Sequence, residues 1–383
     1  MASFKKYKTK KGYRWMYQIL VKTEITGKKK YVTKGGFEHL RAAKQAASEM
    51  EKEISRKDFD LEKSKLTFEN IFYQWFENYK LTTKESTWVT TLRNAKNHIL
   101  PLLGNKIITE VTAVDIQDIV NFWYKKPLKN YKRFLNDVTR VFEYARRLRI
   151  ITENPATLVI KPSAANQDVK DRDEKEMYYT LNELKKALEC LKESNNDQAY
   201  TFFRLLAFSG IRKGEALALK WSDVNFDKQT ISITKTLSSG QNGWIINTPK
   251  TKSSIRTVYI DTKTIEILKE WRLSQKKEML KLGYNTLTKE QLIFSNMHND
   301  YQSPNMPRRW LRSALAPQKM RAIPVHGFRH TYATLAIQGG MPPKELQKQL
   351  GHSDIRTTLN IYTSVTDEQL RKIPQRYTAF VNF

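Results

Sequence analysis

Apolar positions change their spacing along this chain, and the changes divide it. Early on, YRWMYQILV (13–21) alternates crudely between apolar and polar residues. TGKKKYVTKGGF then supplies a turn and a further strand, and HLRAAKQAASEMEKEIS reads as a helix rich in Ala, Lys and Glu. Residues 1–65 are therefore expected to form a small antiparallel sheet followed by a helix. From 66 to 160 the period becomes helical: Phe68, Ile71, Phe72, Trp75, Phe76 and Tyr79 share a face that reads as core. Ser86 or Thr87 is the expected cap of a second helix carrying Trp88, Leu92, Ala95 and Ile99, stopped by Pro101 and Gly104. A third helix starts near Thr112 and Ala113 with Ile116, Ile119 and Val120. A fourth starts near Tyr131 with Leu135, Val138, Val141, Phe142, Ala145 and Leu148. The run KPSAANQDVKDRDEKE (161–176) has almost no apolar content and reads as an exposed linker. Residues 177–383 are long enough for a core of their own.

Composition and charge narrow the partners. At 383 residues and 40% hydrophobic, the chain can bury more than one core. Its formal net charge is +28, from 67 Lys+Arg against 39 Asp+Glu, which favours encounter with polyanions. Nucleic acid is the first partner to consider and an anionic membrane the second, although no apolar run is long enough to span a bilayer. The basic N-terminus lacks an apolar signal core, and the single cysteine, Cys190, permits neither an intrachain disulfide nor a cysteine metal site. These features lead to the expectation of a cytoplasmic protein. Before residue 31 the chain has ten Lys or Arg and one acid, Glu24. Lys5, Lys6, Lys8 and Arg14 interleave with Tyr7, Tyr13, Trp15 and Tyr17, as on a β-ribbon that enters the major groove; a solvated basic face is the alternative. Arg140, Arg146, Arg147 and Arg149 lie largely off their helix's apolar stripe, and phosphate contact and a solvated face explain them equally well.

The last unit carries the chemistry. TFFRLLAFSGIRKGEALALKWSDV (201–224) opens as an apolar helix, breaks at Gly210 and resumes after Arg212. Arg212 and Glu215, three apart, can share a face, and the acid can brace the guanidinium. QTISITKTL and WIINTPKTKSSIRTVYI are strand-like; the second is expected to be a hairpin with Lys250 and Lys252 at its tip, either solvated or placed to donate a proton. In VHGFRHTYATLAIQGG, His326 and Arg329 are i and i+3 at a helix start, and His330 points elsewhere by one helical step. A metal reading is weak, because His326, His330 and His352 come without a carboxylate or thiol set. In HSDIRTTLNIYTSV, His352 and Tyr362 are ten apart. A phenol with its ordinary pKa of about 10 attacks only with cationic help. Two arginines, one or two histidines and a lysine are matched to phosphoryl transfer, since two guanidinium forks can stabilise a pentavalent phosphorus without a metal.

With these motifs assembled, the chain resembles the tyrosine recombinases, the integrases of phages and mobile elements. The resemblance rests on SGIRKGEALALKWSD (209–223), HGFRHTYAT (326–334), LGHSDIRTT (350–358) and IYTSV (361–365). It implies that Arg212, Lys250, His326, Arg329, His352 and Tyr362 are the catalytic residues, with Lys252 a rival for Lys250 and Glu215 in support. It implies a multidomain fold: an arm-binding domain (1–65) with a three-stranded sheet and a helix, an all-α core-binding domain (66–160), and, after the 161–176 linker, a mixed α/β catalytic domain (177–383). Tyr362 would attack the scissile phosphate to give a 3′-phosphotyrosyl link. Arg212, Arg329 and His352 would hold that phosphate and Lys250 would protonate the leaving 5′-oxygen. His326 would take the phenol proton or steady the phosphate. No cofactor is implied. The implied partners are double-stranded DNA attachment sites of core and arm type, further protomers in a synaptic tetramer, an excisionase and a host DNA-bending protein. The tail beyond Tyr362, ending in Phe380, Val381 and Phe383, would pack on a neighbouring protomer or fold back in cis. Phage and conjugative-element origins fit equally. Two alternatives are a type IB topoisomerase, disfavoured by the basic N-terminal unit and LGHSDIRTT, and a non-enzymatic DNA-binding protein, which would need none of the six residues.

Overall fold

The computed structural model describes residues 2–9, 12–23, 29–54, 66–126, 128, 130–162, 177–248 and 252–362. Contacts divide the chain into two compact units, 1–166 and 167–383. Among the described residues no helix is long and apolar enough to cross a membrane.

The first unit begins with an antiparallel sheet, β1 (Ala2–Thr9), β2 (Gly12–Thr23) and β3 (Lys29–Phe37), in the order β1-β2-β3. Helix α1 (Leu40–Ile54) packs on β2. Period-two alternation turns Tyr17 and Ile19 inward, where they meet Ala47, and the small alanine lets helix and sheet approach closely. Full burial of a side chain such as that of Ile19 contributes about 1.5–3 kcal/mol. Tyr17, grouped in the sequence reading with the DNA-facing aromatics, is therefore core, whereas Tyr13 is 57% exposed beneath the Lys6 ammonium.

A second cluster follows in the same unit. It joins α2 (Phe68–Thr82), α3 (Glu85–Asn94), α4 (Leu100–Leu103), α5 (Ala113–Lys125) and α6 (Tyr131–Arg147) around Phe68, Phe72, Trp123, Phe134 and Phe142. Thr67 and Thr112 cap α2 and α5 through reciprocal bonds with Asn70 and Asp115. The second helix departs from its sequence reading. It starts at Glu85 with Lys84 at the cap, not Ser86 or Thr87, and Pro101 does not stop it. A π-turn over Ala95–Ile99 shifts the bonding register, and the proline, which has no N–H to give, falls early in the following turn. Leu148, expected in the stripe of α6, lies beyond the helix end and is 39% exposed. Arg146 and Arg147 both pair with Glu143, and Arg140 with Asp137, so these three lie in ion pairs along an exposed helix face.

The second unit packs α7 (Leu181–Glu193), α8 (Asp197–Ser209) and α9 (Lys213–Leu217) with α10 (Thr262–Lys281), α11 (Met306–Leu315) and α12 (Gly327–Gln338) around one core that includes Phe202, Phe203, Phe294 and Phe328. The strands are β4 (Val224–Asn225), β5 (Thr230–Ile233), β6 (Thr236–Ser239), β7 (Trp244–Asn247) and β8 (Arg256–Tyr259). Helices α13 (Pro343–Leu350) and α14 (Ile355–Tyr362) close the described chain. The expected hairpin within WIINTPKTKSSIRTVYI is not formed. β7 pairs with the preceding β6, while β8 pairs with β5, whose Ile231 and Ile233 share a buried face with Val258. Burial selects the long-range partner for β8 and leaves β7, with Trp244 and Ile246 each 40% exposed, in a separate two-stranded ribbon. Lys250 lies outside the described residues, in the connection between the two sheets, as does the side chain of Lys252.

Candidate active site

Two sharp chain reversals and one helix start bring the candidate groups together. Gly210 ends α8 with φ +66°, and a Cβ there would come within 2.5 Å of Tyr332. The chain then enters α9 with Arg212 at its cap. Gly351 ends α13 with φ +70°, and a Cβ there would press on Arg256 at 2.9 Å. His352 follows at once. His326 caps α12, which packs on α8, and Thr331 ties α12 to the segment before α7: its hydroxyl donates to Gly327 O (2.9 Å) and accepts from Tyr179 N–H (3.0 Å).

Arg329 links these reversals. It is 5% exposed, and its Nη1 and Nη2 donate to the carbonyls of Gly210 (2.9 Å) and Leu350 (2.8 Å). A guanidinium has five N–H donors, so others remain for an anion. Burial first, and then neighbouring Arg212, lower its pKa to about 9, so it is a cation at neutral pH. Arg212 keeps 36% of its side chain exposed; its Nη1 donates to Glu215 Oε1 (2.8 Å) and its backbone N–H to Oε2 (2.9 Å). Glu215 is thus the expected brace, but it is shared. Arg256, with 6% of its side chain exposed, donates Nη2 to Glu215 Oε2 (3.0 Å) and Nε to Gln349 O (2.8 Å). Burial would raise the pKa of Glu215, yet the Arg256 bond and charge, with Arg212, hold it below the ordinary value. Sequence reasoning passed over Arg256; the signal was a lone arginine opening a strand that otherwise alternates toward the core.

Both histidines are held neutral. Burial lowers His326 to about 4, reinforced by His330, Arg329, Arg212 and Lys213. Burial likewise lowers His352 to about 4, reinforced by Arg329, Arg212, Arg256 and His330. These mutual influences place Arg212, His326, Arg329 and His352 in one electrostatic neighbourhood. His330, read as turned away, sets its ring edge-on to that of His326, with centroids 5.1 Å apart. His352 Nδ1 lies 3.0 Å from Thr358 Oγ1, another contact sequence reasoning did not identify. Tyr362 ends α14, and its side chain, like the tail 363–383, lies outside the described residues.

A cavity of about 1010 Å³ opens beside this cluster. Arg212, Lys213, Arg308, Arg312 and His326 contribute cationic or basic groups to its wall, and Ser238, Ser239 and Asn305 contribute polar ones. Among the described residues no carboxylate lines it. Such a wall suits a polyanion.

The comparison with known proteins agrees with this chemistry. Residues 178–369, which contain all six candidate residues, match the model of the phage integrase family. The chain belongs to that family. Residues 67–124 match the SAM-like N-terminal domain of phage integrases, and 4–54 the Arm DNA-binding domain. The integrase is 30% identical over 351 residues to a XerC-like tyrosine recombinase of Caldanaerobacter subterraneus subsp. tengcongensis, covering 85% of this chain and 87% of that one. It is also 30% identical over 342 residues to the Prophage ps2 probable integrase of Lactococcus lactis subsp. lactis, covering 87% and 88%. The ICEBs1 integrase of Bacillus subtilis is 22% identical over 329 residues, covering 84% and 86%. Among solved structures, the Tn1549 transposon integrase in complex with a circular intermediate DNA superposes with a TM-score of 0.66 at 20% identity, covering 82% of this chain and 99% of that one. A lambda integrase dimer bound to a COC′ core site gives 0.56 at 17%, covering 93% of each. These superpositions show a shared fold. The protein is a site-specific tyrosine recombinase, which sets aside the topoisomerase and the non-enzymatic alternatives.

Proposed function

We propose that this integrase cuts and rejoins duplex DNA at attachment sites through a covalent link to Tyr362, integrating and excising a mobile element. The observation that carries the reading is Arg329: a buried guanidinium bonded to the carbonyls of Gly210 and Leu350, which ties the loops of Arg212 and His352 to the helix of His326. The phenol oxygen of Tyr362 attacks phosphorus and the bond to the 5′-oxygen breaks, leaving a 3′-phosphotyrosyl link. Arg212 and Arg329 take the non-bridging oxygens and stabilise the charge of the transition state. Neutral His352 gives one hydrogen bond, and neutral His326 has a lone pair for the phenol proton. Lys250, or its rival Lys252, gives the leaving 5′-oxygen its proton. The phosphodiester energy is kept in the link, so no cofactor is needed, and a partner strand's 5′-hydroxyl reverses the step.

The same proposal divides the chain into an arm-binding domain (1–65), a core-binding domain (66–160), a linker (161–176) and a catalytic domain (177–383). The match to the Arm DNA-binding domain and the basic first sheet support an arm-site role. Four protomers would act on two duplexes in the cytoplasm, with the tail after Tyr362 joining neighbours and an excisionase and a host DNA-bending protein setting direction.

A nicked attachment-site substrate tests the chemistry. The native chain should become trapped on the 3′ side of the cut in the presence of a chelator, with the adduct mapping to Tyr362. Tyr362→Phe should bind but not cleave. An adduct on Tyr332, Tyr377 or a serine, or a requirement for divalent metal, would overturn the reading.

A further inference from the structure

We propose that Thr358 is a positioning residue that sets the tautomer of His352, so that Nε2 carries the proton offered to the scissile phosphate. This rests on the phosphate-binding role given above to His352. Thr358 is fully buried, and its Oγ1 lies 3.0 Å from His352 Nδ1. A hydroxyl in a helix commonly turns back to the carbonyl four residues earlier. Among the described residues, however, His352 Nδ1 is the acceptor within reach of the Thr358 hydroxyl. If Nδ1 carried the proton, the buried hydroxyl would receive that bond and its own hydrogen would be stranded. When the hydroxyl donates to the Nδ1 lone pair, both groups are satisfied. A neutral imidazole has one N–H, so the proton then sits on Nε2. Burial beside Arg329, Arg212 and Arg256 keeps the ring neutral, and a neutral ring is one whose tautomer matters.

The rest of the His352 environment fixes its backbone. Its N–H donates to Gln347 O (3.2 Å), and its carbonyl accepts from Gln347 Nε2 (3.1 Å). Thr358 reaches the ring from α14. Thr358 and Tyr362 are i and i+4 on that helix, hence on one face. Docking of the nucleophile's helix and the protonation pattern of the phosphate donor are thereby coupled: a protomer whose α14 leaves this position loses the group that holds the His352 proton on Nε2.

The experiment uses the full chain with ¹⁵N-labelled histidine, the His352 signals being assigned by their loss in His352→Asn. In the native protein, long-range proton–nitrogen spectra should show His352 as the Nε2–H tautomer. Thr358→Val removes the hydroxyl at nearly constant shape. It should shift His352 toward a tautomer mixture and slow adduct formation about tenfold or more, while affinity for an attachment site stays within about twofold. Thr358→Ser should restore both. In a His352→Asn background, Thr358→Val should have no further effect on rate. A native Nδ1–H tautomer, or a Val variant that cleaves at the native rate, overturns the proposal. So does a Ser variant as slow as Val. A native chain that forms no adduct at Tyr362 would instead sink the underlying mechanism, and the spectra would still report the tautomer.

Discussion

Glu215 in the second unit and Asp137 in the first are both 2% exposed, yet they titrate in opposite directions. Burial pushes each upward. At Asp137 that push wins, and its pKa rises to about 6 in spite of Arg140 and Arg133. Arg140 Nη1 reaches Oδ1 at 3.1 Å, while Oδ2 has no partner among the described residues. At Glu215 both oxygens receive charge-assisted bonds, from two guanidiniums and a backbone N–H, and the net shift is downward. The difference teaches that depth of burial does not set the charge state; the number of donors converging on the buried oxygens does. The fully satisfied acid sits beneath the candidate active site, where it orients Arg212. The half-satisfied one lies in α6 of the first unit.

The largest effect should come from breaking the satisfied site. Glu215→Gln leaves Arg256 buried without its anion and should destabilise the second unit by about 3–5 kcal/mol in chemical denaturation. It should also remove most adduct formation, because Arg212 loses its brace. A variant with native stability and native cleavage would mean that the two arginines do not depend on this acid.

The pH response should be next in size and opposite at the two sites. The folded pKa of Asp137 lies above its unfolded value, so the native state binds the extra proton between about pH 4 and pH 6. Its contribution to stability therefore falls as pH rises through that window, by on the order of 2–3 kcal/mol. Asp137→Asn should be more stable than native at pH 7.5, and that advantage should shrink at pH 4.5. For Glu215 the sign reverses: its stabilisation is present above its unfolded pKa and is lost as pH falls through the lowered folded one. Equal slopes for the two acids, each taken as variant minus native, would erase the distinction. The smallest effect is expected at Thr91, 1% exposed with an unpartnered Oγ1 among the described residues. Thr91→Val should change stability by less than about 1 kcal/mol, in the stabilising direction, because no hydrogen bond is lost.

Much of this was readable beforehand, and the failures have a common cause. The helix start near Thr112 and Ala113, the break at Gly210, the resumption after Arg212 and the polar cluster at the start of α12 all depend on residues within a turn or two of one another. The failed expectations depended on distant partners or on helix register. β8 paired with β5 rather than β7 because its buried face needed Ile231 and Ile233. Pro101 was tolerated because a π-turn had already shifted the bonding. Tyr17 went inward because the sheet has one covered face.

The sequence by itself therefore determined which groups exist and their local frames: a cation after a left-handed glycine, a histidine and an arginine i and i+3 on one helix, and a tyrosine at the end of another. Those are consequences of backbone sterics and helical period, which act over a few residues. Only the tertiary structure decided which groups share a partner. Arg256 reaches Glu215 across 41 positions, and Arg329 joins Gly210, 119 away, to Leu350, 21 away. No periodicity encodes such pairs. They are selected because a buried charge or carbonyl must find its donors somewhere in the folded chain, and the packing of whole helices determines which donors arrive.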